Sequence, residues 1–202
     1  MAFNPKNFIS NYFKKKKPIG IFFDAVFVVL LLLLLIPATR KETAAFFIKL
    51  TSFPASTLDE DDQFRVNAAT NQWQLYDLDG NKTSFDDLNK KPVFLNIWAT
   101  WCPPCIAELP SIEELHQTFG EDVSFILVSN EDPELVKAFA EKHNYGTLPF
   151  YYSNSVPADF SSNSIPTTFI IDQSGLVMVN KKGAARWNSS KTEKLLEQLI
   201  NQ

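Results

Sequence analysis

The longest apolar stretch is Ile19 to Ile36 (IGIFFDAVFVVLLLLLLI), 18 residues interrupted only by Asp24. About 20 apolar residues at 1.5 Å each cross a hydrocarbon core, so the run predicts a transmembrane helix. Asp24 lies near its N-terminal end, within reach of the interface, and Pro37 closes it. Further along, shorter patterns take over. Trp73 to Leu78 alternates and leads into Asp79-Gly80, a hairpin-type turn. Pro92 to Trp98 (PVFLNIW) and Val123 to Ser129 (VSFILVS) read as buried strands. Pro103 to Phe119 carries apolar residues at helical spacing, namely Ile106, Leu109, Ile112, Leu115 and Phe119. Asp132-Pro133 opens a helix that runs to about His143. Tyr145 to Ser164 has no clear period and is expected to cross the surface as a long excursion. Two strands, Thr167 to Asp172 and Leu176 to Lys181, precede an amphipathic helix over Ser190 to Ile200. This order predicts an α/β fold with a central mixed sheet flanked by helices.

Charge divides the chain. The first 17 residues hold five lysines, Lys6 and Lys14 to Lys17, and no acid; the rest holds 14 basic against 23 acidic residues. An acidic body offers no basic face for phosphates, so nucleic acid is not an expected partner. The basic head before the apolar run reads as a topology signal. Arg40 and Lys41 on the other side are fewer, so the N-terminus is expected to be cytoplasmic and the remainder exported. A cleaved signal peptide is the alternative, but the run is longer than the usual hydrophobic region and no clean cleavage site follows closely. The expected organisation is a basic N-terminus over 1–18, a membrane anchor over 19–36 that contacts the bilayer, a juxtamembrane linker over 37–63 and a folded domain over 64–202. Within the linker, Glu42 to Phe53 suits a short amphipathic helix and Pro54 to Gln63 a tether.

Only two cysteines are present, Cys102 and Cys105. A secreted disulfide scaffold would use more, spread along the chain. A zinc site would have to recruit His116 and His143, and Cys-x2-Cys-x10-His-x26-His fits no usual structural pattern. A structural disulfide closing so small a loop would gain little. Redox chemistry suits the position, where a buried strand meets a helix start. There the helix dipole and unpaired N–H groups lower a thiol's pKa, and the thiolate attacks disulfides. Cys102, at the outer end, is the expected nucleophile, and Cys105, one turn in, the buried resolving thiol. Pro103 and Pro104 stiffen the loop but remove two N–H groups. Glu108 follows Cys105 by three and so lies on nearly the same helix face, as a general base or as a solvated acid. No cofactor or metal motif is visible.

Leu95 to Pro110 (LNIWATWCPPCIAELP) resembles the active-site segment of thioredoxins, and more closely that of the TlpA/ResA/CcmG-type membrane-anchored disulfide oxidoreductases. Ile165 to Asp172 (IPTTFIID) resembles the second signature of that family. The resemblance covers about Trp73 to Ile200 and implies a thioredoxin-like fold. It also implies that Pro166 is cis and faces the cysteines, leaving the backbone of Ile165 to pair with a substrate, while Trp101 lines the docking surface. Thioredoxins carry a buried acid where this chain has Asn96; the resemblance points to Glu108 as its replacement and to a structural kink at Pro110. Gly183 to Asn188 (GAARWN) also resembles a family segment, with no chemical role evident.

The combined expectation is an extracytoplasmic thiol–disulfide oxidoreductase. It would reduce disulfides in exported proteins, cytochrome c maturation being one setting, and would be fed by a membrane electron donor. Two alternatives stay open: a disulfide-forming oxidant, and a binding module in which the cysteines are not redox-active. A peroxidase reading is weak, because a Pro-x-x-x-Thr-x-x-Cys arrangement is absent around Cys102. The exported domain is expected in the periplasm or another extracytoplasmic space.

Overall fold

The computed structural model describes residues 17–35, 54–59 and 62–202. The chain divides into two compact units, Met1–Thr43 and Ala44–Gln202. Residues 1–16 of the basic N-terminus expected over 1–18 and the expected amphipathic segment over 42–53 lie outside the described residues.

In the first unit, α1 spans Pro18–Leu35, 18 residues. Its apolar side chains face outward, with Ile19, Phe22, Phe23 and Phe27 each 63–65% exposed. At 1.5 Å per residue such a helix reaches about 27 Å, short of the roughly 30 Å of a hydrocarbon core. Among the described residues no helix is long and apolar enough to cross a membrane. The transmembrane helix expected over 19–36 is corrected to that extent.

The second unit is built on one eight-stranded sheet of order β1-β8-β7-β4-β5-β6-β2-β3. The strands are β1 (Phe64–Arg65), β2 (Gln74–Asp77), β3 (Lys82–Ser84), β4 (Val93–Ile97), β5 (Ser124–Ser129), β6 (Phe150–Tyr152), β7 (Thr167–Ile171) and β8 (Leu176–Lys182). Between them lie α2 (Phe85–Leu88), α3 (Pro103–Phe119) and α4 (Pro133–His143), with α5 (Ser190–Ile200) at the end. The centre is parallel, β4 with β5 and β5 with β6, whereas β7 runs antiparallel to β4 and β8 to β7.

Side chains alternate across a strand, and this parity sorts the core. Phe94, Phe125, Leu127 and Ile170 face one side, where they meet Leu109, Ile112 and Leu115 of α3 and Leu196 and Leu199 of α5. Val93, Leu95, Ile126, Val128, Phe169 and Ile171 face the other, against Trp73, Phe85 and Phe160. Asn96 shares the parity of Phe94, so its side chain enters the α3 side although it is polar.

Two stretches differ from expectation. Tyr145 to Ser164 is not a surface excursion: it supplies β6, which pairs with β2 and β5, and a 3-10 turn at Ala158–Phe160. Three paired residues are too few to show a period, which is why the pattern was invisible. Residues 54–59, expected as tether, lie along the domain. Ala55 is buried, Leu58 N–H donates to Met178 O at 2.8 Å, and Pro54 bridges to Arg186.

Phe160 is fully buried, its ring centroid 5.9 Å from Trp73, 5.4 Å from Phe85 and 5.2 Å from Phe169. Phe160→Ala is expected to cost about 3–5 kcal/mol. Urea unfolding checks this, and a loss below about 1 kcal/mol would show that the 3-10 turn is not part of the core.

Candidate active site

The site forms where β4 and β5 stop pairing. Their last register pair is Ile97 with Val128, and Trp98 N–H donates to Val128 O at 3.0 Å. The chain then turns through residues 99–101 into α3, with Cys102 in extended conformation as its N-cap. A helix start leaves four N–H groups without helical acceptors. Here all four are accounted for. Cys102 N–H donates to Ala99 O at 3.2 Å, Pro103 and Pro104 have none, and Cys105 N–H donates to the Cys102 sulfur at 3.3 Å. The prolines therefore leave one backbone donor aimed at that sulfur, backed by the positive end of a 17-residue helix.

Cys102 and Cys105 are joined as a disulfide, with Cα atoms 5.3 Å apart. Both are buried, Cys102 at 3% exposure and Cys105 at 0%. Cys102 was expected at an exposed end; in this form it is nearly covered, because the loop before β7 lies over it. The Ile165–Pro166 bond is cis, and Ile165 O sits 3.8 Å from the Cys102 sulfur. The loop is fastened from both sides: Thr167 Oγ1 donates to Ser164 O at 2.7 Å, and Gly183 N–H donates to Pro166 O at 2.8 Å. Trp101 stands 58% exposed beside it, whereas Trp98 is buried against Phe139 and Phe150. A groove of about 450 Å³ opens between Trp101 and Ile165, floored by Ile97 and Val128 and lacking any ionisable lining side chain.

Glu108 is 2% exposed and faces the sheet. Asn96 Nδ2 donates to its Oε1 at 2.7 Å; Trp187 Nε1 and Ala185 N–H donate to its Oε2 at 2.9 and 3.1 Å. Burial pushes its pKa up to about 7, and the donors from Trp187, Ala185 and Asn96, with the charge of Lys181, hold it from rising further. The solvated-acid alternative is thereby excluded. Asn96 is itself oriented by donating to Thr168 Oγ1 at 2.8 Å. Trp187 reaches the site because Gly183, in left-handed conformation at φ 78°, turns the chain out of β8, and Trp187 N–H donates to Ser111 Oγ at 3.2 Å. Sequence reasoning noted the Gly183 to Asn188 segment without assigning it a role. The signal available was that a buried acid needs donors, and an indole N–H is a suitable one. Among the described residues no group of His, Cys, Asp and Glu could hold a metal ion.

These features can be set beside known proteins. Residues 66–179 match the AhpC/TSA family, more than half of the chain. The chain belongs to the AhpC/TSA family. Within that family it is 34% identical over 110 residues to the thioredoxin-like protein YneN of Bacillus subtilis, covering 52% of this chain and 64% of YneN. The chain thus spans less than two thirds of that relative's length. It is 31% identical over 130 residues to the thiol-disulfide oxidoreductase ResA of Halalkalibacterium halodurans, covering 62% of this chain and 70% of that protein. A structure from Bacteroides vulgatus, described as a thiol-disulfide oxidoreductase, superposes with a TM-score of 0.54 at 29% identity, covering 63% of this chain and 91% of that one. A Chlorobium tepidum protein described as DsbE shares the fold, with a TM-score of 0.56 at 16% identity over 74% of this chain and 96% of its own. The fold of this AhpC/TSA member is thioredoxin-like.

The raised pKa has a consequence for stability. Between the ordinary value of 4.5 and about 7 the folded protein holds a proton on Glu108 that the unfolded chain releases. Stability from this group is therefore full at low pH and falls as pH rises through that window, by about 3 kcal/mol at most. Urea unfolding of the disulfide form at pH 4.5 and 7.5 is expected to show the fall in wild type and not in Glu108→Gln. An equal fall in both would assign it to other groups.

Proposed function

We infer that this chain is a thiol–disulfide oxidoreductase that reduces disulfides of exported proteins, cycling between the dithiol and the disulfide of Cys102 and Cys105. The observation that carries the reading is the disulfide seated at the start of α3, with the carbonyl of Ile165 beside one sulfur and a buried, proton-holding Glu108 one turn beyond the other. Relatives named as thiol-disulfide oxidoreductases support the same class.

In the dithiol form the Cys102 thiolate, favoured by the Cys105 N–H and the helix dipole, attacks one sulfur of a client disulfide. A Cys102–client disulfide forms, the client bond breaks, and the client's second sulfur leaves as a thiolate. Glu108, when ionised, takes the proton from Cys105. The Cys105 thiolate then attacks the Cys102 sulfur, the Cys102–client bond breaks, and the client leaves as a dithiol once its two thiolates take one proton from Glu108 and one from water. Two electrons pass from the cysteine pair to the client, and a membrane-borne dithiol donor must restore them. In this reading Ile165 and cis Pro166 present backbone to the client peptide, and Trp101 contacts it.

The same reading keeps the protein membrane-associated through the apolar run 19–36, with the Lys14 to Lys17 cluster on the cytoplasmic side and the 64–202 domain in the periplasm or extracytoplasmic space. The outward apolar side chains of α1 support contact with lipid. Cytochrome c maturation is the setting that the family resemblance implies.

Four measurements test the proposal. Cys102→Ser is expected to abolish reduction, whereas Cys105→Ser traps a mixed disulfide with the client. Glu108→Gln slows release of that mixed disulfide by roughly 100-fold and removes the fall in rate below about pH 7. A reduction potential near or below about −270 mV fits a reductase; one near −120 mV would make the protein a disulfide-forming oxidant. Resistance of the membrane-bound chain to alkaline extraction checks the anchor, and release into the soluble fraction would remove it.

A further inference from the structure

Glu131 lies two residues beyond the end of β5, outside the chemistry described above. Past the bond from Trp98 N–H to Val128 O, the Thr100 N–H finds its acceptor outside the sheet. Glu131 takes over that task. Its Oε2 accepts Thr100 N–H at 2.6 Å, and its Oε1 accepts the Thr100 hydroxyl at 2.7 Å. The carboxylate is itself held in place. Ser129 Oγ donates to Oε2 at 3.2 Å, and Glu131 N–H donates back to Ser129 Oγ at 3.2 Å. Ser129 is 1% exposed at the end of β5, so the clamp is rooted in the sheet.

Hydrogen bonds to an ionised acceptor are about twice as strong as neutral ones. Two of them converge on one residue, and that residue is followed directly by Trp101 and Cys102. At most about 8 Å of chain separates the clamp from the nucleophile. We propose that Glu131 is a positioning residue of the redox centre: it fixes the 99–101 segment so that Trp101 and Cys102 together meet a docked protein client. This rests on the protein-disulfide reductase reading. A small disulfide needs only the Cys102 sulfur. A protein client needs Cys102, Trp101 and the Ile165 backbone held in one arrangement, and a displacement of about 1 Å can cost roughly 100-fold. Loosening the clamp therefore penalises protein disulfides more than small ones.

The test compares full-length wild type, Glu131→Gln, Glu131→Asp and Thr100→Val in detergent, each in the dithiol form. Rates are measured with insulin as the protein disulfide and with oxidised glutathione as the small one. The ratio of the insulin rate to the glutathione rate is expected to fall at least fivefold in Glu131→Gln, whose amide keeps one acceptor oxygen but sets an NH2 donor against the other Thr100 donor. Glu131→Asp keeps a carboxylate and recovers part of the ratio. Thr100→Val removes one donor and keeps the backbone bond, so it falls in between; it also carries the test should Glu131→Gln unfold. A wild-type ratio in both Glu131→Gln and Thr100→Val overturns the proposal, as does an equal fall with both substrates. Failure of the underlying reading looks different: wild type would then reduce insulin no faster than Cys102→Ser.

Discussion

A carboxyl group taken out of water must be given donors or a proton, and Glu108 receives both. Its oxygens draw on β4 through Asn96 and on the segment after β8 through Ala185 and Trp187. These segments are remote in sequence, and their convergence fixes how α3 lies on the sheet and where the chain passes between β8 and α5. Burial pushes toward the protonated form and the donors toward the ionised one. Because the two nearly balance, the pKa is pushed up only to about 7. A better-solvated acid would stay ionised, and a more isolated one would stay neutral.

The opposite end of the site obeys a different constraint. Backbone groups at a strand end and a helix start both lack partners, and here the two ends abut. The sequence answers with two prolines that remove donors, one N–H given to sulfur, and a carboxylate on Thr100. Little backbone polarity is left to compete for the sulfur, so Cys102 is defined by its cover of Ile165 and by the neutral groove beside Trp101. A strongly charged group entering that groove would lose its hydration without gaining a partner.

Much of this was legible in the residues. Short, continuous apolar runs placed β4 and β5, and helical spacing placed α3 and α5. The cysteine spacing at a strand–helix junction pointed to the chemistry, and the three-residue step from Cys105 pointed to Glu108. Such features are local: each depends on neighbours within a turn or a strand, where backbone geometry fixes which side chains share a face. What escaped was either too short to show a period, as with β6 and the turn that buries Phe160, or depended on single partners far along the chain.

The amino-acid sequence by itself therefore determined the central strands and the long helices of the domain and a paired-thiol centre at a helix start, because these follow from covalent geometry and burial. Only the tertiary structure decided that Trp187 and Asn96 would share Glu108, that Glu131 would hold Thr100, and that Cys102 would lie covered by the loop of Ile165. Those pairings span from 12 to 79 positions along the chain, and Thr100–Glu131 spans 31. Contacts between single distant side chains leave no periodic trace, so nothing short of the folded arrangement selects them.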